Sequence, residues 1–178
     1  MKKENLLKMI LAGLFLALAY VLPFLTGQIP QIGSMLCPMH IPVILCGFIC
    51  GWYWGLAVGF IAPVFRSFIL GMPPLFPTAV CMAFELATYG LIAGLLYKFL
   101  PRKKINIYLS LIISMVVGRL AWGSAMVVCL GLNGQAFTFN AFITGAFTTA
   151  LPGIIIQIIL IPLLVMFVES QKILKIKR

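Results

Sequence analysis

Three fully charged side chains stand inside apolar runs of this chain: Arg66, Glu85 and Arg119. An ionisable group at membrane depth is expensive, faces the protein interior, and marks a functional candidate whose partner should be named. Glu85 lies in "PPLFPTAVCMAFELATYGLIAGLLYKF", residues 73–99, about ten residues from the start of the run, or roughly 15 Å at 1.5 Å per residue. Arg119 lies at a similar distance from the same side of the next run. The two can meet near mid-membrane as an ion pair, which avoids burying either charge alone. We expect that pair to be a structural strut that also lines a pocket floor. Arg66 lies only a few residues from the end of its run and has no acidic partner in the membrane. Two readings stay open: the side chain snorkels to the interface, or it meets an anionic or carbonyl-rich ligand.

Other polar and aromatic groups fall on the same side. Thr78, Met82, Glu85 and Tyr89 share one helical face, and Arg119, Trp122 and Met126 share another. Asn133, Gln135 and Asn140 sit in or beside a loop, and His40 precedes Pro42 where a short apolar run begins. Aromatics with a few hydrogen-bonding groups suit a small, partly apolar molecule. The candidate substrate-binding set is therefore His40, Arg66, Glu85, Tyr89, Arg119, Trp122, Asn133, Gln135 and Asn140.

Catalysis is a poor fit. The chain has three acids and one histidine, so paired-carboxylate chemistry and a His-Glu-x-x-His zinc site are both out of reach. It has no phosphate-binding G-x-x-x-x-G-K-[ST] loop and no G-x-S-x-G elbow. The five cysteines form no C-x-x-C pair and read as small buried hydrophobes. We expect no metal, no cofactor and no enzymatic activity.

The elements that position these groups follow from composition. Of 178 residues, 63% are hydrophobic and 9% charged, with a mean hydropathy of +1.16. A soluble domain of this size cannot hide that much apolar surface. At about 20 residues per crossing, the chain has room for about six spans and little else. They are placed near Leu6–Leu25, Ile41–Cys50, Gly55–Leu70, Leu75–Leu100, Ile107–Leu130 and Phe139–Val168, the last bent at Pro152 and Pro162. The expected fold is all-α: one six-helix transmembrane substrate-binding domain over residues 1–178.

The net charge of +10 does not point to nucleic acid, which needs one continuous basic face. Eleven of the thirteen basic residues fall in three patches: Lys2, Lys3 and Lys8; Lys98 and Arg102–Lys104; and Lys172–Arg178. Short basic loops stay cytoplasmic, which predicts N-in and C-in with uncharged outer loops. The first 20 residues also read as a signal peptide with "ALA" at 17–19 as its cleavage site. We favour a retained span, because the apolar run continues to Leu25. Small residues recur at four-residue spacing, as at Gly13/Ala17, Gly55/Gly59 and Gly90/Gly94, and let helices approach closely.

The stretch "PMHIPVILCGFICGWYWGLAVGFIAPVFRSFILGMPPLFPTAVCMAFELATYGLIAGLLY", residues 38–97, resembles the substrate-binding S components of energy-coupling factor (ECF) transporters of the vitamin type. "HIPV" followed by G-x-x-x-G-x-x-x-G carries most of that resemblance. It implies capture of a vitamin or similar micronutrient at the outer side of a bacterial plasma membrane. It also implies assembly with a transmembrane coupling subunit and two cytoplasmic ATPases, and toppling of the S component to carry its site inward. The family's small-residue motif on the first helix maps to Gly13 and Ala17, and less surely to Ala12 and Ala19, as the coupling-subunit interface. Gly13 replaces the usual alanine. A positive pocket favours an anionic ligand, with pantothenate the first candidate; riboflavin, folate, a pyridoxine-type vitamer and a thiamine precursor remain open. A stand-alone secondary carrier or small channel, and a ligand-free structural subunit, are the competing classes.

Overall fold

The computed structural model describes residues 3–26, 33, 35–101, 103–132, 134 and 136–170. It is all-helical among them. Helix α1 spans Lys3–Val21 and continues as a 3₁₀ turn to Thr26. Helix α2 is short, His40–Cys50, and α3 runs Trp52–Leu70. A bent turn at Leu75–Ala79 leads into α4, Val80–Phe99. Helix α5 is the longest at 29 residues, Lys104–Leu132. A five-residue α6, Phe139–Ile143, passes through a wide turn at Thr144–Thr148 into α7, Leu151–Ser170.

Five of these elements are long and apolar enough to cross a membrane. The element expected as the second span, α2, is shorter than these: its 11 residues reach only about 16 Å. The expected sixth span is also not one bent helix. The wide turn at Thr144–Thr148 and two turn residues, 149–150, separate α6 from α7, and Leu151 before Pro152 is itself helical. Pro152 then occupies the first turn of α7, where its missing N–H is harmless, whereas Pro162 stays buried inside the helix.

Asn5, Trp52, Lys98 and Glu169 border one cavity, so the start of α1, the α2–α3 turn, the end of α4 and the end of α7 share one end of the bundle. We call this the basic end. The opposite, neutral end carries residues 22–26, 35–39, 71–79, 134 and 136–138, without a charged residue among them.

Glycines lock α2, α3 and α4 together. A Cβ on Gly47 or Gly55 would collide with the backbone of Gly90, one on Gly59 with Leu86, and one on Gly94 with Trp52. The small-residue spacing thus serves packing inside the chain, where dispersion rather than hydrophobicity drives helix association. Gly51, at φ 98°, makes the tight α2–α3 turn that lets both helices face α4. These contacts fix the relative levels of the helices, and they explain the cavity described next. Starting from the basic end, α2 stops at His40, so the space above it toward the neutral end is left to side chains of α3, α4 and α5.

Candidate functional site: a cavity at the neutral end

That space is a cavity of about 380 Å³. Its charged wall comes from α3, α4 and α5 through Arg66, Glu85 and Arg119, and His40 at the start of α2 closes the floor. All four side chains are buried in the bundle. The rest is largely apolar, with Met39, Met72, Pro74 and Met82 among the walls.

The Glu85–Arg119 pair matched by depth in the sequence is present, with Arg119 Nη1 2.8 Å from Glu85 Oε1. The same oxygen accepts a hydrogen bond from Tyr89 Oη at 2.9 Å, one turn along α4. Such convergence is what a carboxylate needs to stay charged away from water. Tyr89 therefore supports Glu85 from beneath and does not border the cavity; its ring fills the space against Gly118, where a Cβ would strike it. Arg119 Nη2 also lies 3.8 Å from Cys37 Sγ. Burial pushes the Cys37 thiol's pKa up, so it meets the arginine as a neutral thiol.

Three polar atoms here lack hydrogen-bond partners among the described residues: Arg119 Nε, His40 Nδ1 and His40 Nε2. His40 Nε2 stands 3.5 Å from Glu85 Oε1 without a hydrogen bond. The His40 ring tilts against that of Tyr89, centroids 5.3 Å apart.

Arg66 is buried in the bundle. It is 5% exposed, and Nη1 donates to the Tyr20 carbonyl at 3.0 Å. That carbonyl belongs to the last turn of α1, where helical acceptors have no partner of their own and favour a cation. The guanidinium also lies 5.5 Å from the centre of the Phe24 ring. One of its donors is thus committed to α1, and the side chain still borders the cavity.

Trp122 also borders the cavity, stacked on Phe142 at 6.3 Å and edge-on to Phe137 at 5.8 Å. Gly145 gives it room, since a Cβ there would meet the indole. Asn140 is exposed on α6 and apart from the cavity. Asn133 and Gln135 lie outside the described residues. Sequence reasoning missed Cys37 and Thr149. Thr149 borders the cavity just after the wide turn at Thr144–Thr148, which no residue type in that stretch signals. Cys37 left no such signal, because its contact depends on how the preceding loop folds.

On α1, Gly13 and Ala17 are exposed while Ala12 and Ala19 are 3% and 0% exposed. Residues 12, 15 and 19 repeat at helical spacing and face the bundle. Ala12 and Ala19 are therefore removed from the candidate partner-facing surface, and Gly13 and Ala17 remain on it.

The arrangement can bind, but it has little with which to catalyse. Its single acid is already held by an arginine and a tyrosine, and no cluster of three metal-ligating groups occurs among the described residues. Comparison with family models gives a match over residues 7–165 to "ECF transporter, substrate-specific component". The chain belongs to that family. The ECF component is accordingly a membrane-embedded transport subunit. Neither curated proteins nor solved structures yield a match to it.

Proposed function

We propose that this ECF component is a single transmembrane substrate-binding domain that captures a vitamin-like anion, with pantothenate the first candidate. It hands the ligand across a bacterial plasma membrane with a transmembrane coupling subunit and two cytoplasmic ATPases. One observation carries the reading: a cavity of about 380 Å³ in which two buried arginines face one carboxylate. That volume lies in the range of about 300–1,000 Å³ typical of small-molecule sites. The surplus positive charge at Arg66 favours an anion and disfavours a cation such as thiamine. The positive-inside pattern orients the neutral end, with the cavity, to the outside, N-in and C-in. The chain itself carries no phosphate-binding loop, which leaves energy supply to partners. The exposed Gly13–Ala17 face of α1 offers the coupling subunit a surface that admits close helix approach.

The test is thermal unfolding of the purified protein with pantothenate, riboflavin, folate, pyridoxine and thiamine in turn, followed by uptake in cells with and without the ATPases. Stabilisation by an anionic member and ATPase-dependent uptake are expected. Uptake driven by an ion gradient in liposomes that contain this chain alone would make it a secondary carrier instead.

A further inference from the structure

The hairpin of α2 and α3 stops short of the basic end. A Cβ on Gly94 would strike the backbone of Trp52, so the α2–α3 turn is level with Gly94. Helix α4 continues from there to Phe99, which adds about 7–8 Å at 1.5 Å per residue. The turn is therefore recessed beside a longer neighbour, and the cavity of about 470 Å³ at this end lies against it. Helix α1 borders the cavity through Asn5 and Lys8, α4 through Lys98, and α7 through Glu169.

The recessed turn differs from its surroundings in residue type. Helix α1, the end of α4 and the start of α5 carry lysines, whereas the turn reads "CGWYWG", residues 50–55, without a charge. Trp52, Tyr53 and Trp54 all border the cavity, and successive rings meet edge-on at 5.9 and 5.8 Å. Trp52 and Tyr53 are exposed. Indole and phenol rings favour the interfacial layer of a bilayer, where an apolar ring and a polar N–H or O–H both find partners. The cations stand further out. Lys98, one residue before the end of α4, makes no ion pair among the described residues and lies 5.8 Å from the centre of the Phe99 ring. Lys8 pairs with Glu4 at 3.3 Å, and a part-exposed pair of this kind yields readily to a competing anion. The one carboxylate on the rim, Glu169, already accepts from the Tyr97 hydroxyl.

We propose that this recess holds the headgroup of an anionic phospholipid. Its phosphate sits at the lysine rim, and its glycerol and ester region lies against the Trp52–Trp54 turn. That order of depth is the order of a bilayer leaflet, with phosphate outermost and ester carbonyls beneath it. The indole N–H and phenol O–H groups supply donors for those carbonyls. Basic pockets between membrane helices suit anionic headgroups, whereas a zwitterionic headgroup brings a cation of its own against Lys8 and Lys98. The proposal concerns the end of the bundle opposite the ligand cavity and does not depend on which ligand that cavity takes.

The test uses the purified full-length protein, stripped of lipid in detergent. It is titrated with phosphatidylglycerol, phosphatidylcholine and soluble glycerol 1-phosphate, read by melting temperature and by native mass spectrometry. Phosphatidylglycerol should bind as a one-to-one adduct roughly 10–30-fold more tightly than phosphatidylcholine. Lys8→Gln with Lys98→Gln should remove that preference. Lys103→Gln with Lys104→Gln takes the same charge from this end but outside the cavity, and should keep it. Variants are compared at matched lipid-free melting temperature. Equal affinity for the two lipids, or equal loss in the two double variants, would overturn the site. Glycerol 1-phosphate binding as tightly as phosphatidylglycerol would overturn the lipid in favour of a soluble phosphate.

Discussion

The two ends of the bundle each hold a cavity of similar size, about 470 Å³ at the basic end and about 380 Å³ at the neutral end. What differs is how their charges are kept. At the basic end Lys98 and Glu169 are exposed, Lys8 pairs with Glu4 at 3.3 Å, and Glu169 accepts from the Tyr97 hydroxyl at the rim. Such charges remain hydrated and are held at little expense. At the neutral end Arg66, Glu85 and Arg119 are 5%, 2% and 7% exposed. Removing them from water costs several kcal/mol per ion, even after relaxation. The larger cavity is thus bordered by hydrated charges at helix ends, and the smaller one is where charge has been concentrated against its solvation. Cavity size is a poor guide to function here; buried charge is the better one.

Breaking the buried pair should have the largest effect. Glu85→Ala leaves Arg119 uncompensated and should destabilise the protein by about 3–5 kcal/mol in denaturant unfolding in detergent. Adding Arg119→Met to Glu85→Ala should recover stability while leaving ligand binding lost. Next comes the glycine layer that sets the levels. Gly90→Val drives a side chain into the backbone of Gly55 and should cost about 1–3 kcal/mol, read as a lower melting temperature and weaker binding together. Arg66→Gln separates the two properties. It gives up one hydrogen bond to Tyr20, about 1 kcal/mol of stability, but weakens an anionic ligand roughly 10–100-fold in calorimetry. The smallest effect belongs to the basic end: Lys98→Gln should change stability by less than about 0.5 kcal/mol and leave ligand affinity alone.

Much of this contrast was legible in the sequence, because hydrocarbon thickness and rise per residue are fixed. Matching Glu85 and Arg119 by depth needed only the ends of two apolar runs. The spacing of Gly55 and Gly59, and of Gly90 and Gly94, signalled close packing, although not that Gly55 and Gly90 meet across α3 and α4. Three features could not be read. The hold of Tyr20 on Arg66 is a side chain meeting a backbone carbonyl, which leaves no trace in residue type. The length of α2 depends on where the chain enters the helix, and "HIPVILCGFIC" is as apolar as the longer spans. The place of Thr149 beside the cavity follows from the wide turn at Thr144–Thr148, a stretch read as part of one continuous helix. In each case local composition was sound and the missing information was long-range.

The most direct test of where function resides is the dissociation constant of pantothenate, or of whichever anion co-purifies, for the parent, Arg66→Gln and Lys98→Gln. All three are measured by calorimetry in the same detergent. A roughly 10–100-fold loss in Arg66→Gln with an unchanged value in Lys98→Gln is the expected result. Equal affinity in Arg66→Gln and parent, or a comparable loss in Lys98→Gln, would contradict the assignment of the neutral-end cavity as the ligand site.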